Sequence, residues 1–275
     1  MRLMSAIAQN LEDVKRRIEG AAKRAGRDPA AIKLVAVSKT KSAEEISEAI
    51  KAGQFCFGEN YAQELRKKYD ELSSLLSPPL TGGDKGEGDR SPSPHLPHRG
   101  GGEKVSAQQA ARVNQLEWHF VGHLQKNKAR IVAPIATWIE SIDSLELATA
   151  LNWRAVRPIN CLIEVNVGGE ETKSGAKISD VQDIAQGFGD FSNLKLKGLM
   201  TIPPYNPDPE FSRPFFKKLK ELLMRINDSN IVKEPLTELS MGMSHDFEVA
   251  IEEGATIIRV GTAIFGERQK LDARS

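Results

Sequence analysis

The stretch Lys33-Leu34-Val35-Ala36-Val37-Ser38-Lys39-Thr40 is a short apolar run, rich in β-branched residues, that ends abruptly in polar side chains. A run without polar alternation reads as a strand buried on both faces. Seven more of this kind follow, at 54–60, 117–123, 137–143, 159–167, 196–202, 238–243 and 256–265, so there are eight. Segments 43–52, 61–76, 144–156, 179–188, 211–227 and 246–253 between them have helix-forming composition. Strand–helix alternation demands parallel strands with crossover helices. Eight such units predict a single (α/β)8 TIM-type barrel, with an open doubly wound sheet as the runner-up. Ser42 followed by Glu45 has the capping-box pattern and Ser144 is a second N-cap candidate. The segment after 123 is short and polar, although Leu124, Ile131 and Val132 still permit a helix. Over residues 1–25, Leu3, Ile7, Leu11, Val14 and Ile18 stand at helical spacing, which predicts an extra N-terminal amphipathic helix closed by Gly26 and Pro29.

Composition narrows the function. Lys and Arg total 38 against 37 Asp and Glu, a formal net charge of +1, so no basic field exists to hold nucleic acid. Cys56 and Cys161 lie in separate apolar runs and form neither a disulfide framework nor a zinc-finger spacing, which suits a reducing compartment. No uninterrupted apolar block has the length of a secretory signal or a membrane span, and Glu12, Asp13 and Glu19 oppose an organellar presequence. The expectation is a cytoplasmic protein with no membrane partner. Residues 1–275 read as one barrel domain interrupted at 77–104 by SPPLTGGDKGEGDRSPSPHLPHRGGGEK, a Pro/Gly/Ser-rich insertion without apolar periodicity. Such a segment buries too little surface to offset its ordering entropy and is expected to be disordered. His95 and His98 inside it are weak metal candidates for the same reason.

A parallel barrel gathers the carboxyl ends of its strands on one face. The run-ending residues Lys39, Asn60, His123, Asp143, Asn166, Thr201 and Ser244, together with Arg259, Gly261 and Thr262, are therefore expected to share a site. A lysine where a buried strand emerges has a partly desolvated amine, which makes Lys39 a Schiff-base candidate. Arg259, inside an apolar run, needs a buried acceptor or anion, a structural salt bridge being the plainer alternative. The segments Leu239-Ser240-Met241-Gly242-Met243-Ser244 and Val260-Gly261-Thr262-Ala263 offer hydroxyls and open amides after strands seven and eight, the recurring phosphate position of this barrel. No Walker loop, GxGxxG or GxSxG occurs. His119 and His123 share strand parity, but no carboxylate cluster is expected beside them, so no metal is assigned. An amine, a phosphate cradle and an arginine suit a phosphorylated aldehyde, and pyridoxal 5′-phosphate (PLP) is that molecule.

The chain resembles the pyridoxal phosphate homeostasis protein family, whose barrel is similar to the N-terminal domain of alanine racemase. The resemblance rests on Ala36-Val37-Ser38-Lys39-Thr40, Phe57-Gly58-Glu59-Asn60-Tyr61-Ala62-Gln63-Glu64, Trp118-His119-Phe120-Val121-Gly122-His123-Leu124-Gln125-Lys126-Asn127-Lys128, Gly198-Leu199-Met200-Thr201-Ile202, Leu239-Ser240-Met241-Gly242-Met243-Ser244 and Arg259-Val260-Gly261-Thr262-Ala263-Ile264-Phe265-Gly266. It implies PLP on Lys39, Asn60 near the cofactor, Ser240, Gly261 and Thr262 around the phosphate, and Arg259 at the ring nitrogen. It further implies a role in holding or delivering PLP and balancing amino-acid and keto-acid pools, with no settled catalytic activity. PLP-dependent apoenzymes would be the recipients, and the protein a monomer or weak homodimer. Two departures stand out: the insertion, and His245 after Ser244 where a small or acidic residue is usual. The rival reading is an amino-acid racemase of alanine-racemase type. That chemistry needs a second acid/base, which alanine racemase takes from an additional β-domain; here the sequence ends soon after the eighth run, and Tyr205 is an unsupported substitute.

Overall fold

The computed structural model describes residues 4–76, 115–170 and 173–267, the side chain of Leu76 excepted. The insertion at 77–104, with His95 and His98, lies outside the described residues, as does Leu3.

Helix α1 (Ala6–Arg24) opens the chain. Strand β1 (Lys33–Val37), α2 (Ala43–Lys51), β2 (Cys56–Glu59), α3 (Ala62–Leu76), β3 (Glu117–Phe120) and the short α4 (Ala129–Val132) follow. Next come β4 (Trp138–Ile142), α5 (Leu145–Asn152), β5 (Ile159–Glu164), α6 (Val181–Gly187) and β6 (Leu194–Met200). The last elements are α7 (Arg213–Asp228), β7 (Glu238–Ser240), α8 (Phe247–Glu252), β8 (Ile257–Val260) and α9 (Thr262–Phe265). The strands pair in sequence order, all parallel, and β1 pairs with β8, which closes the barrel. No described helix is long and apolar enough to cross a membrane.

The local signals work as the sequence indicates. Ser42 Oγ accepts from the Glu45 amide while Glu45 Oε2 accepts from the Ser42 amide, completing a capping box. Ser144 caps α5 through the Leu147 amide. Along α1, Leu11, Val14 and Ile18 are buried, and the helix packs on α2, α8 and α9. Gly26 turns the chain out of α1 at φ 65°. The segment after β3 does form a helix, but only a 3-10 turn at Lys126–Lys128 leading into α4.

Strand parity divides two apolar populations. Val35, Trp138, Leu162, Met200 and Ile257 point inward and form a small cluster within the barrel, while Phe57, Trp118, Phe120, Ile258 and Val260 point outward into the larger core beneath the helices. Side chains on a strand alternate faces, so Arg259 shares the inward row with Ile257, His119 with Glu117, and Glu140 with Trp138. One run is corrected: 256–265 is not strand throughout. It ends at Val260, and Gly261 begins a turn whose carbonyl accepts from Ile264 and Phe265, starting α9.

Candidate functional site

At the carboxyl end of the barrel, the Lys39 turn is held from below. Ser38 Oγ donates to Glu59 Oε1 at 2.6 Å, and the buried Lys68 Nζ on α3 donates to Glu59 Oε1 at 2.7 Å, Ser38 O at 2.5 Å and Glu64 Oε1 at 2.6 Å. Burial pushes the Glu59 pKa up, with the charge and hydrogen bond of Lys68 opposing. Thr40 lies in the left-handed region at φ 65°, costly for a β-branched residue, and its amide donates to Glu64. A buried ion pair thus fixes a strained turn beside Lys39, which is half-buried. On the next loop, Asn60 Oδ1 is buried without a hydrogen-bond partner. Gly122 packs against the Asn60 backbone so closely that a Cβ would lie 2.3 Å from its carbonyl oxygen.

The β7 and β8 ends meet this turn. Ala36 is in register with Val260, and a Cβ on Gly261 would sit 3.2 Å from Val37 O. The amides of Gly261 and Ala263 both point at Ser244 Oγ, at 3.3 and 3.4 Å. Thr262 is the first residue of α9. These amides converge on one spot with only a long, shared hydroxyl acceptor, an arrangement whose chemistry suits an anion. The preceding loop is ordered by Asp246, whose Oδ1 accepts from the Met243 amide at 2.7 Å and whose Oδ2 accepts from Ser212 Oγ at 2.8 Å. His245 lies beside it, with its ring 5.1 Å from that of the exposed Tyr205 at the rim and its Nε2 3.6 Å from Asp246 Oδ2.

Ser240 is placed differently from its expected position. It faces into the barrel, fully buried, where its Oγ accepts from Arg259 Nη1 at 2.5 Å and donates to Glu140 Oε2 at 2.5 Å. The reason is parity: Ser240 ends β7 on the inward row, whereas Ser244, four residues on, has left the strand and reached the Gly261 amide. Arg259 Nη2 donates to Thr201 O at 2.8 Å, and Nη1 lies 3.7 Å from Glu140 Oε2. The buried acceptors that the sequence demanded of Arg259 are therefore a hydroxyl, a carbonyl and a carboxylate. Burial lowers the Arg259 pKa, opposed by the charges of Glu140, Glu164 and Asp246. Burial also pushes Glu164 up to about 7 despite Arg259.

The polar line continues downward. Glu140 Oε1 pairs with His119 Nδ1 at 2.5 Å, both groups fully buried. Burial alone would raise Glu140, but the hydrogen bond and charge of His119, helped by Arg259 and Ser240, hold it below the ordinary carboxylate value. This corrects the expectation that no carboxylates join the strand-three histidines. Glu140 approaches His119 from the inward row of the adjacent strand, and Glu117 from two residues away on the same strand. His123 is apart from it, at the top, with Nδ1 3.6 Å from Asp143 Oδ2. Thr201 and Asn166 serve their own loops: Thr201 Oγ1 donates to Val165 O, and Asn166 Oδ1 accepts from the Gly169 amide. The sequence reading missed Glu140, Glu164, Glu59 and Lys68; for the three glutamates, an acidic residue inside an apolar run, the same anomaly that exposed Arg259, was the available signal, while Lys68 on α3 carried none.

Comparison with known proteins agrees with this architecture. Residues 4–269 match the family described as alanine racemase, N-terminal domain. The pyridoxal phosphate homeostasis protein of Aquifex aeolicus is 40% identical over 264 residues, covering 95% of this chain and 98% of that one. Its Escherichia coli K12 counterpart is 38% identical over 268 residues, covering 96% and 98%. Among solved structures, PipY of Synechococcus elongatus with PLP bound superposes with a TM-score of 0.70 at 29% identity, covering 94% of this chain and all (100%) of that one. Alanine racemase from Corynebacterium glutamicum, at 13% identity and a TM-score of 0.61 over 98% of this chain and 63% of its own, shares the fold. With near-complete coverage by such relatives, and with the same eight-stranded barrel, this chain belongs to the pyridoxal phosphate homeostasis protein family.

Proposed function

We propose that this protein binds PLP at the carboxyl mouth of its barrel and serves intracellular PLP homeostasis, holding or delivering the cofactor without turning over substrate of its own. The observation that carries the reading is the convergence of the Gly261 and Ala263 amides on Ser244 Oγ, next to the clamped Lys39 turn. The printed names of the relatives, and the PLP in the PipY structure, support it. The donor set fits the group: amides and a hydroxyl for a phosphate, an amine for an aldehyde, the orphaned Asn60 Oδ1 for a polar substituent, and Arg259 for the ring nitrogen. When bound, PLP supplies an aldehyde that an amine can hold covalently and a pyridine ring that withdraws electrons.

The residues have distinct tasks. Lys39 is the attachment amine, Ser244 with Gly261 and Thr262 forms the phosphate cradle, and Ser240 and Glu140 orient Arg259. An arginine does not give up its proton, so it leaves the ring nitrogen unprotonated and weakens electron withdrawal. That is chemistry suited to carriage rather than turnover. The reading extends to a cytoplasmic location, PLP-dependent apoenzymes as recipients, and a monomer or weak homodimer, which light scattering tests. Borohydride reduction followed by peptide mapping tests the attachment, with label expected on Lys39. Label on Lys41 or Lys128 and none on Lys39 overturns it. A chiral amino-acid assay with excess PLP tests the rest; racemisation that survives purification and vanishes in Lys39→Ala would restore the racemase reading.

A further inference from the structure

Three donors of different chemistry converge at the opposite, amino-terminal mouth of the barrel. Cys56 begins β2 and Glu117 begins β3, and the two are register partners. His119 follows on the same inward row as Glu117. The Cys56 sulfur, a Glu117 oxygen and a His119 ring nitrogen all lie within 4.8 Å of one another. His119 Nε2 is buried and has no hydrogen-bond partner, although Glu117 Oε2 is 3.6 Å away. The other ring nitrogen is held by Glu140, and the ring stacks on Trp138 at 5.3 Å with planes 7° apart. With Nδ1 paired to Glu140, Nε2 faces a carboxylate and a thiol, and a cation entering there displaces any proton the nitrogen carries. A sulfur, a carboxylate and an imidazole nitrogen gathered this closely form a ligand set for a cation that displaces their protons.

We propose that Cys56, Glu117 and His119 bind a zinc-class divalent cation, with a fourth position left to water at the barrel mouth. Sulfur, imidazole and carboxylate ligands are the set such a borderline cation takes, and three protein ligands with an open position is one of its two common arrangements. Glu140 on Nδ1 completes the carboxylate–histidine–metal relay that fixes a ligand's tautomer and ring orientation. Cys56 and Glu117 are both half-buried, so solvent reaches the site. Lys33 is the competing cation. Its Nζ lies 2.6 Å from Glu117 Oε2 and 4.9 Å from the Trp138 ring centroid, at the end of a half-exposed stem that swings outward when a metal enters.

The test titrates the purified, chelator-treated full chain with Co2+ alone, read as difference spectra against the same protein without metal, followed by Zn2+ competition. One equivalent is expected to bind with a sulfur-to-cobalt charge-transfer band that Zn2+ abolishes. Cys56→Ser, a conservative change at a half-buried position, is expected to remove the band and weaken binding at least tenfold. Lys33→Met, which deletes the competing charge, is expected to tighten binding several-fold. Absence of a thiolate band in the parent, a band that persists in Cys56→Ser, or unchanged or weaker binding in Lys33→Met overturns the proposal.

Discussion

The two mouths of the barrel are furnished for opposite partners. At the carboxyl end the chain leaves each strand into a loop, so backbone amides at 261 and 263 and the Ser244 hydroxyl converge without a formal charge on any of them. At the amino end the inward rows are still within the sheet, and the barrel offers only side chains: Lys33, Cys56, Glu117 and His119. The first surface suits an anion, the second a cation. Between them runs a line of buried polar groups, Arg259, Ser240, Glu140 and His119, that shares the barrel interior with the apolar cluster of Val35, Trp138, Leu162, Met200 and Ile257. A parallel barrel therefore separates two kinds of chemistry by height alone, and what joins them is a carboxylate at mid-depth.

Glu140→Ala is the severest test of that joint. It strands both Arg259 and His119 in the interior, and removing one partner of a buried ion pair costs roughly 3–5 kcal/mol. Urea unfolding is expected to show a loss of that size, and a loss under about 1 kcal/mol would mean that the two mouths are energetically separate.

Glu164 tests the upper mouth alone. Its carboxyl is raised in the fold from 4.5 to about 7, so the native state holds a proton that the unfolded chain releases first. The resulting penalty is absent below about pH 4.5, grows as pH rises toward about 7, and is complete above it. Glu164→Gln is therefore expected to gain about 3 kcal/mol over the parent at pH 8 and nothing at pH 4, as follows for a carboxyl moved from 4.5 to about 7. A stability difference independent of pH would show that the carboxyl titrates normally.

The two serines separate orientation from ligand contact. Ser240→Ala leaves Arg259 and Glu140 each short of a buried partner and is expected to cost about 1–3 kcal/mol of stability. Ser244→Ala is expected to leave unfolding almost unchanged while weakening PLP binding about tenfold, or about 1.4 kcal/mol, measured by equilibrium dialysis. The reverse pattern would return Ser240 to the cradle. Smallest of all, Lys33→Met breaks a half-exposed pair with Glu117 and is expected to shift stability by less than about 1 kcal/mol. A larger loss would make Lys33 part of the framework of the lower mouth.

The barrel was legible because eight apolar runs separated by helical segments admit few architectures, and because Ser42, Ser144 and Gly26 carry their own local signals. Lys39, Asn60, Arg259 and Gly261 were legible as polar or small residues at strand ends. Ser240 and Ser244 were not separable, since which of them leaves the sheet depends on β7 ending at Ser240, a boundary that its apolar continuation through Met241 conceals. The approach of Glu140 to His119 was hidden for a different reason, whereas that of Glu117, two residues away on the same strand, was open to a parity argument. The Glu140 contact arises from register between neighbouring strands, and pairs such as His119 with Trp138 are set by the closed sheet rather than by any local spacing.

Helix α1 ties together two regions far apart in the sequence. Asn10 Nδ2 donates to Ile264 O across 254 residues, Arg17 pairs with Glu248, and Arg27 Nη1 donates to the carbonyls of Ile251 and Ala255. Helix α1 thus docks largely on α8 and α9, more than 200 residues later in the chain. At roughly 5–20 residues per second, the apolar stripe of Leu11, Val14 and Ile18 waits on the order of ten to fifty seconds for those partners to be synthesised. Barrel closure consequently waits for β8, and a nascent chain stalled before α9 exposes the apolar stripe of α1 while lacking the Ala263 amide.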